Sequence, residues 1–333
     1  MKINGKGYSR DELLMRNNPS AIYDAQKIVL TDGRGKGHRL IDVKTAAGLA
    51  FTLSEDKCLD IFNLTFKGIN MAYITKNGLI NTPIANPDVD SFAKYWPAGF
   101  LTTCGLRNTG PACRVNDEFF PIHGNVHLMP AEHVNIDITE EMITITGNVY
   151  ETSVFGHNLQ MQRKITVPSD GSTLTVHDTI NNLTPEDEYI FMLYHINFGF
   201  PFLCEDLKLD LPKGQIKGRT PHAQERINNH TEITKPIKGE PESVFFHMAD
   251  AKNAQATLTN KPLGIGATVK YDTAALPILS QWKSMRAGDY ALGIEPSTST
   301  IKGRKEELEE GYNIKVQGFG KIEYGFTIDF FLL

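Results

Sequence analysis

From about residue 38 onward the chain is written in short runs that alternate apolar and polar side chains with a period of two, and this alternation most restricts what it can fold into. Such runs occupy residues 40–43, 49–53, 59–66, 143–149, 159–167, 174–180 and 189–198, and then 207–211, 243–248, 256–258, 267–271, 278–282, 290–294 and 312–331. Turn-forming groups separate them, as at Ser169-Asp-Gly171, Asn181-Asn182 and Pro212-Lys-Gly214, and no helix-period segment recurs between them. The pattern predicts mainly antiparallel β structure rather than βαβ units. More than a dozen strands without a Pro/Gly/Ser-rich linker predict one large all-β two-sheet sandwich over 38–333.

Residues 1–37 read as a helix and extension ahead of that domain. Ser9-Arg-Asp-Glu12 before Leu13 and Leu14 has the form of a capping box, and Pro19 stops the short helix it starts. Gly33-Arg-Gly-Lys-Gly37 lacks the order of a phosphate-binding loop and reads as a flexible hairpin or loop. The charged stretch 304–310 reads as a solvated face. Residues 80–135 are the long irregular exception, rich in Gly, Pro and Asn, and long loops on a rigid scaffold are where function concentrates.

Charge and length exclude several classes of function. With 34 Lys+Arg against 39 Asp+Glu the net charge is −5, and no cationic block marks a nucleic-acid surface. No stretch approaches the ~20 apolar residues of a membrane span, and MKINGKGYSRDELL lacks a signal-peptide core, so a cytoplasmic protein without a membrane partner is expected. The four cysteines, Cys58, Cys104, Cys113 and Cys204, form no C-x-x-C and read as free thiols.

Three places carry polar groups that the alternation does not explain. In Phe120-Pro-Ile-His123-Gly-Asn125-Val-His127 the two histidines have the i, i+4 spacing of a zinc pair, but Gly124, Asn125 and Pro130 argue against the helix it requires, so no metal is expected. His123 instead suits a polar ligand or the solvent, with Asn125 and His127 supporting the fold around it. In Phe191-Met-Leu-Tyr-His195-Ile-Asn197, His195 and Asn197 share one face of a strand, either satisfied by neighbouring backbone or aimed at a ligand. In Asp289-Tyr-Ala-Leu-Gly-Ile-Glu295, Glu295 follows Ala291 and Gly293 on one face. Its carboxylate is either a general base or the ion-pair partner of Lys283 in Ser280-Gln-Trp-Lys283.

His123-Gly124, Tyr194-His195 to Gly199 and Glu295-Pro296, in this order in a β-rich chain, resemble the aldose 1-epimerase (galactose mutarotase-like) superfamily. The runs Gly99-Phe-Leu-Thr-Thr-Cys-Gly105, His195-Ile-Asn-Phe-Gly199, Gln281-Trp-Lys283 and Gly293-Ile-Glu-Pro296 resemble an uncharacterised bacterial branch of it. The likeness covers roughly residues 38–331. It implies a supersandwich of two large antiparallel sheets with a sugar cleft on one concave face. It also implies an isomerase that interconverts sugar anomers without a cofactor. His195 would be the general acid, Glu295 the general base and His123 a substrate-contacting histidine. Arg107 would match the family's sugar-binding arginine, and Asp206 lies on a segment that follows the histidine motif in many relatives. His123, Asn197, Gln281 and Lys283 would orient hydroxyls or an anionic substituent. The expected partner is a small carbohydrate, with a homodimer allowed. Two alternatives use the same cleft: a carbohydrate-binding protein without turnover, and a lyase or isomerase acting on an oxidised sugar.

Overall fold

A sheet with one apolar face needs a second apolar face to cover it. In the computed structural model, which describes residues 1–3, 5–81 and 91–333, three antiparallel sheets meet that demand around a shared core. One layer is an eight-stranded sheet in the order Ala131–Ile138, Met142–Thr152, Asn158–Pro168, Thr173–Asn182, Lys321–Leu332, Ile265–Asp272, Asn253–Asn260 and Leu207–Asp210. The facing layer contains six strands, here β1 (Leu101–Leu106), β2 (Phe191–Phe198), β3 (Gly214–Gly218), β4 (Ser243–Ala249), β5 (Ile278–Arg286) and β6 (Asp289–Ser297), in the spatial order β3-β4-β5-β6-β2-β1. A five-stranded sheet, Asp24–Val29, Arg39–Lys44, Leu49–Ser54, Asp60–Phe66 and Ile69–Asn70, continues this layer beside β1, where the Phe100 N–H donates to the Phe62 carbonyl. The all-β antiparallel sandwich expected from the sequence is what the chain forms, with three sheets in two layers where two sheets were expected.

Alternation reads directly as burial. Along Met142–Thr152 every second residue is buried, with Ile143, Ile145 and Val149 facing in toward Ile196, Phe198, Leu292 and Ile294 of the other layer. Arg163 also lies in this core with its side chain fully buried. It donates to Asp178 (2.9 and 2.7 Å), to Asp60 (3.0 Å), to the Cys58 carbonyl (2.8 Å) and to the Thr103 hydroxyl (2.7 Å). The Tyr194 hydroxyl donates to Asp178 at 2.8 Å. One guanidinium thus ties together all three sheets, directly beneath β1 and β2.

Helices are few and short: α1 (Arg10–Leu14), α2 (Ser91–Tyr95), α3 (Pro221–Glu225) and α4 (Arg304–Glu309). The capping box at α1 forms, the Glu12 N–H donating to Ser9 Oγ and the Ser9 N–H to Glu12 Oε2. No helix among the described residues is long and apolar enough to cross a membrane. Three expectations change. The sheets take in residues ahead of 38, since Asp24–Val29 pairs along its length with Arg39–Lys44. The irregular stretch 80–135, of which residues 82–90 lie outside the described residues, contains β1; all six of its residues are buried, so it has no polar face to alternate. Within 304–310, Arg304 is buried rather than solvated, lying over the rings of Phe120 and Tyr189 with Nη2 donating to Glu188 at 2.7 Å.

Candidate active site

Opposed residues on antiparallel strands lie on the same face of a sheet. The pairs Leu193↔Ser297 and Ile196↔Ile294 set His195 of β2 directly across from Glu295 of β6. Glu295 opposes Ser280 of β5, and His195 opposes Thr102 of β1. The next row along the strands carries Asn197, Gly293 and Trp282. These residues line the face turned away from the inter-sheet core, while Tyr194, Leu292 and Ile294 enter that core.

His195 Nδ1 stands 3.2 Å from Glu295 Oε1, at an angle that makes no hydrogen bond, and both atoms are buried without a partner among the described residues. Ser280 Oγ and Asn197 Oδ1 are buried and unpartnered as well. Four orphaned polar atoms thus sit on adjacent positions of one sheet face. Burying such atoms costs free energy unless something satisfies them, so the cluster has the character of a site awaiting a polar ligand. Burial pushes the Glu295 carboxyl well above its usual range, with Glu242 adding and Arg219 opposing. Burial, with His123 adding, pushes His195 down to about 3. The same pair can hold its single proton as carboxylate and imidazolium or as carboxylic acid and imidazole. Burial favours the second form, the reverse of the assignment carried over from the resemblance.

Gly293 lets the carboxyl lie where it does. A Cβ there would stand 2.1 Å from Glu295 Oε1 and 3.0 Å from the Trp282 Cβ, so the carboxyl folds back over its own strand into space that only glycine leaves. The small residue makes room for the catalytic candidate itself.

His123 comes from the loop before the eight-stranded sheet. Its Nδ1 accepts from the Gly110 N–H at 3.3 Å, which leaves Nε2 to carry the ring proton, and burial lowers its pKa to about 4. His123 is therefore a neutral N–H donor, and its ring centroid lies 5.9 Å from that of His195. Gly124, at φ +71°, has no room for a side chain, since the Gly105 carbonyl oxygen lies 2.1 Å from where a Cβ would be. Aromatic rings complete the walls. Trp96 and Trp282 stand 5.2 and 5.4 Å from His195, Phe92 packs on both His123 and His127, and Tyr73 meets Trp282 edge-on. The Trp96 indole N–H donates to the Thr102 hydroxyl at 3.0 Å.

The structure brings together His195, Glu295, Asn197 and His123, and separates the rest. Asn197 holds the strands in place, its amide donating to the carbonyls of Gly99 and His195, and it favours the charged form of His195. Gln281 and Lys283 occupy the opposite face of β5 from Trp282. Gln281 donates to the His230 carbonyl at 2.8 Å, and Lys283 to the carbonyls of Glu232 (2.6 Å) and Asn229 (3.3 Å). They clamp the segment 219–237 and do not reach Glu295, which corrects the substrate role expected of both and sets aside the ion pair with Lys283 that was the alternative reading of Glu295. Arg107 commits its guanidinium to Glu188 and Glu118 and stacks on Phe120, so it serves the fold. Asp206 is exposed in the turn before Leu207–Asp210, on the edge of the other sheet. Asn125 turns to the buried Glu151, and His127 is buried with a pKa lowered to about 3. Trp282, Trp96 and Ser280 were missed because an aromatic or a serine within a strand carries no chemical signature. Strict alternation through Ser280-Gln-Trp-Lys283 was the available signal, since it puts Trp282 opposite to its neighbours.

Comparison with solved structures places the fold. A Klebsiella pneumoniae protein described as a "putative aldose 1-epimerase" superposes with a TM-score of 0.85 at 21% identity, covering 92% of this chain and 83% of that one. A galactose mutarotase-like protein from Clostridium acetobutylicum gives 0.66 at 14% identity, covering 94% and 100%. Galactose 1-epimerase from Lactobacillus acidophilus gives 0.63 at 13% identity, covering 93% and 99%. No curated protein matches the sequence. The model of DUF4432, a domain of unknown function, matches residues 35–329. The chain belongs to the DUF4432 family, on a galactose mutarotase-like sandwich.

Proposed function

We propose that this protein is an isomerase that interconverts the anomers of a sugar by acid–base ring opening at His195 and Glu295. The observation that carries the reading is the cluster of orphaned buried atoms, His195 Nδ1, Glu295 Oε1, Ser280 Oγ and Asn197 Oδ1, on one face beside Trp96 and Trp282. Anomerisation needs one group to take the anomeric hydroxyl proton and another to protonate the ring oxygen. The C1–O5 bond then breaks, the C1–C2 bond rotates, and the ring closes on the other face of the carbonyl with the proton transfers reversed. A positioned donor and acceptor each contribute ~10²- to 10⁴-fold, which is ample for a reaction that already runs in water. With the proton on Glu295, the carboxyl is the donor and the His195 imidazole the acceptor, and on reclosure they exchange roles. His123 supplies a neutral N–H to a ring or hydroxyl oxygen, and the apolar face of a pyranose stacks on Trp282 or Trp96. The folds of the neighbours described as epimerases and mutarotases agree with this reading.

Exchange NMR between α and β anomers tests it on a panel of equilibrated aldoses and their derivatives. The protein should accelerate exchange of at least one sugar, and Glu295→Gln should lower kcat for that sugar by ~10²-fold or more while the fold is kept. Sugar binding without acceleration would instead mark a binding protein on this scaffold.

A further inference from the structure

The register that assembles the site also carries two cations onto its face. Edge strand β3 pairs with β4 so that Lys217 opposes Phe246, and Phe246 in turn opposes Ser280, which opposes Glu295. One row therefore runs Lys217, Phe246, Ser280, Glu295, His195, Thr102 across the whole sheet. The Arg219 N–H donates to the Val244 carbonyl and continues the ladder by one step, so Arg219 heads the adjacent row through Val244, Trp282, Gly293 and Asn197. Both cations are exposed, and no carboxylate among the described residues lies within ion-pair distance of either. The register puts both side chains on the face that carries Glu295 and His195, and the Arg219 charge is felt at Glu295 and at His123. Glu242, on the same side, is held by the Trp282 indole N–H at 2.9 Å.

Between the acid–base pair and this edge the floor is apolar: Phe246, Val244 and the face of Trp282. Strands in a sheet are ~4.8 Å apart, so β3 and β6 are separated by roughly 14 Å, of which an extended arginine spans nearly half. The remainder fits one pyranose ring and a substituent. A neutral sugar would leave both cations without an ion-pair contact at the end of an apolar floor, whereas an anionic group there would receive a forked guanidinium and an ammonium.

We infer that the substrate is a sugar bearing an anionic group, a phosphate or carboxylate, at the end remote from its anomeric carbon, with Arg219 and Lys217 as the residues that select it. The inference rests on the anomerisation reading for the chemistry at Glu295, but the selection by charge is measurable without turnover.

The test compares glucose, galactose and mannose with their 6-phosphates and uronic acids, by anomer-exchange NMR and by calorimetric titration on the intact protein. At least one anionic sugar should exceed its neutral parent in kcat/KM by 10-fold or more. Arg219→Met and Lys217→Met should each shrink that preference by about 10-fold, the loss of a charge-assisted contact. Equal kcat/KM for neutral and anionic sugars, or a preference unchanged in Arg219→Met, would overturn the inference and leave the anomerisation reading standing. If no sugar exchanges faster, the anomerisation reading falls, and titration decides the charge selection. Tighter binding of a 6-phosphate or uronate than of the parent, lost in Arg219→Met, supports it; absent or equal binding overturns it. The relative response of phosphates and uronates identifies which anion the edge accepts.

Discussion

Protonating His195 or ionising Glu295 puts a charge where burial opposes it, so the pair keeps one proton over a wide range of pH. The sign follows from the two shifts. A second proton binds only as the pH falls toward the lowered His195 value of about 3, and the last proton leaves only above the raised Glu295 value. The expected pH–rate profile therefore has its acidic limb toward the lowered His195 value of about 3 and its other limb above the ordinary carboxylate range, and both limbs belong to the coupled pair. With His195 as the acid and Glu295 as the base, the roles the resemblance implies, the two limbs would be exchanged. Steady-state rates from pH 4 to 10 check this. An acidic limb near the ordinary imidazole value of about 6.5 would show that His195 titrates in contact with water.

At the scale of elements, β5 works on both faces at once. Its even residues, Ser280 and Trp282, line the site, and its odd residues, Gln281 and Lys283, hold the carbonyls of segment 219–237. Lys283→Met removes a buried donor from two carbonyls, and the expected cost is about 1–3 kcal/mol of stability. Limited proteolysis should then cut within 219–237, where the wild type resists; an unchanged melting point and digest would mean that the clamp bears no weight. The same strand explains what was legible in the sequence. Period two revealed β5 and the division of its residues between two faces. It could not say which face met the ligand, so the polar Gln281 and Lys283 were preferred over Trp282. His195 and Glu295 were legible because a titratable group on an otherwise apolar strand must be satisfied or used. Strand β1 was illegible because it is buried on both faces, and Arg107 because a sequence does not reveal that Glu118 and Glu188 converge on it.

For the whole molecule, the Arg163 cluster decides how the layers are joined. Arg163 and Asp178 are fully buried, and burial raises Asp60 to about 6 even beside the guanidinium. Arg163→Met would leave Asp178 without its counter-charge, and removing one partner of such a pair costs about 3–5 kcal/mol. Chemical denaturation should show a loss of that order; a loss below about 1 kcal/mol would mean that the carboxyls simply take up protons. Nothing in the sequence distinguishes Arg163 from a solvated residue of an alternating strand, because its partners are 15, 60 and 103 residues away in the chain.

Anchored from below in this way, β1 and β2 form a bed that has little freedom to adapt to what lies on it. Adaptation falls to the margin, and edge strand β3 is the cheapest part of the margin to rewrite, since no strand among the described residues pairs with its outer side. On the proposed function, exchanging the side chains of Lys217 and Arg219 would then retarget the site from one class of sugar to another, with His195 and Glu295 left as they are.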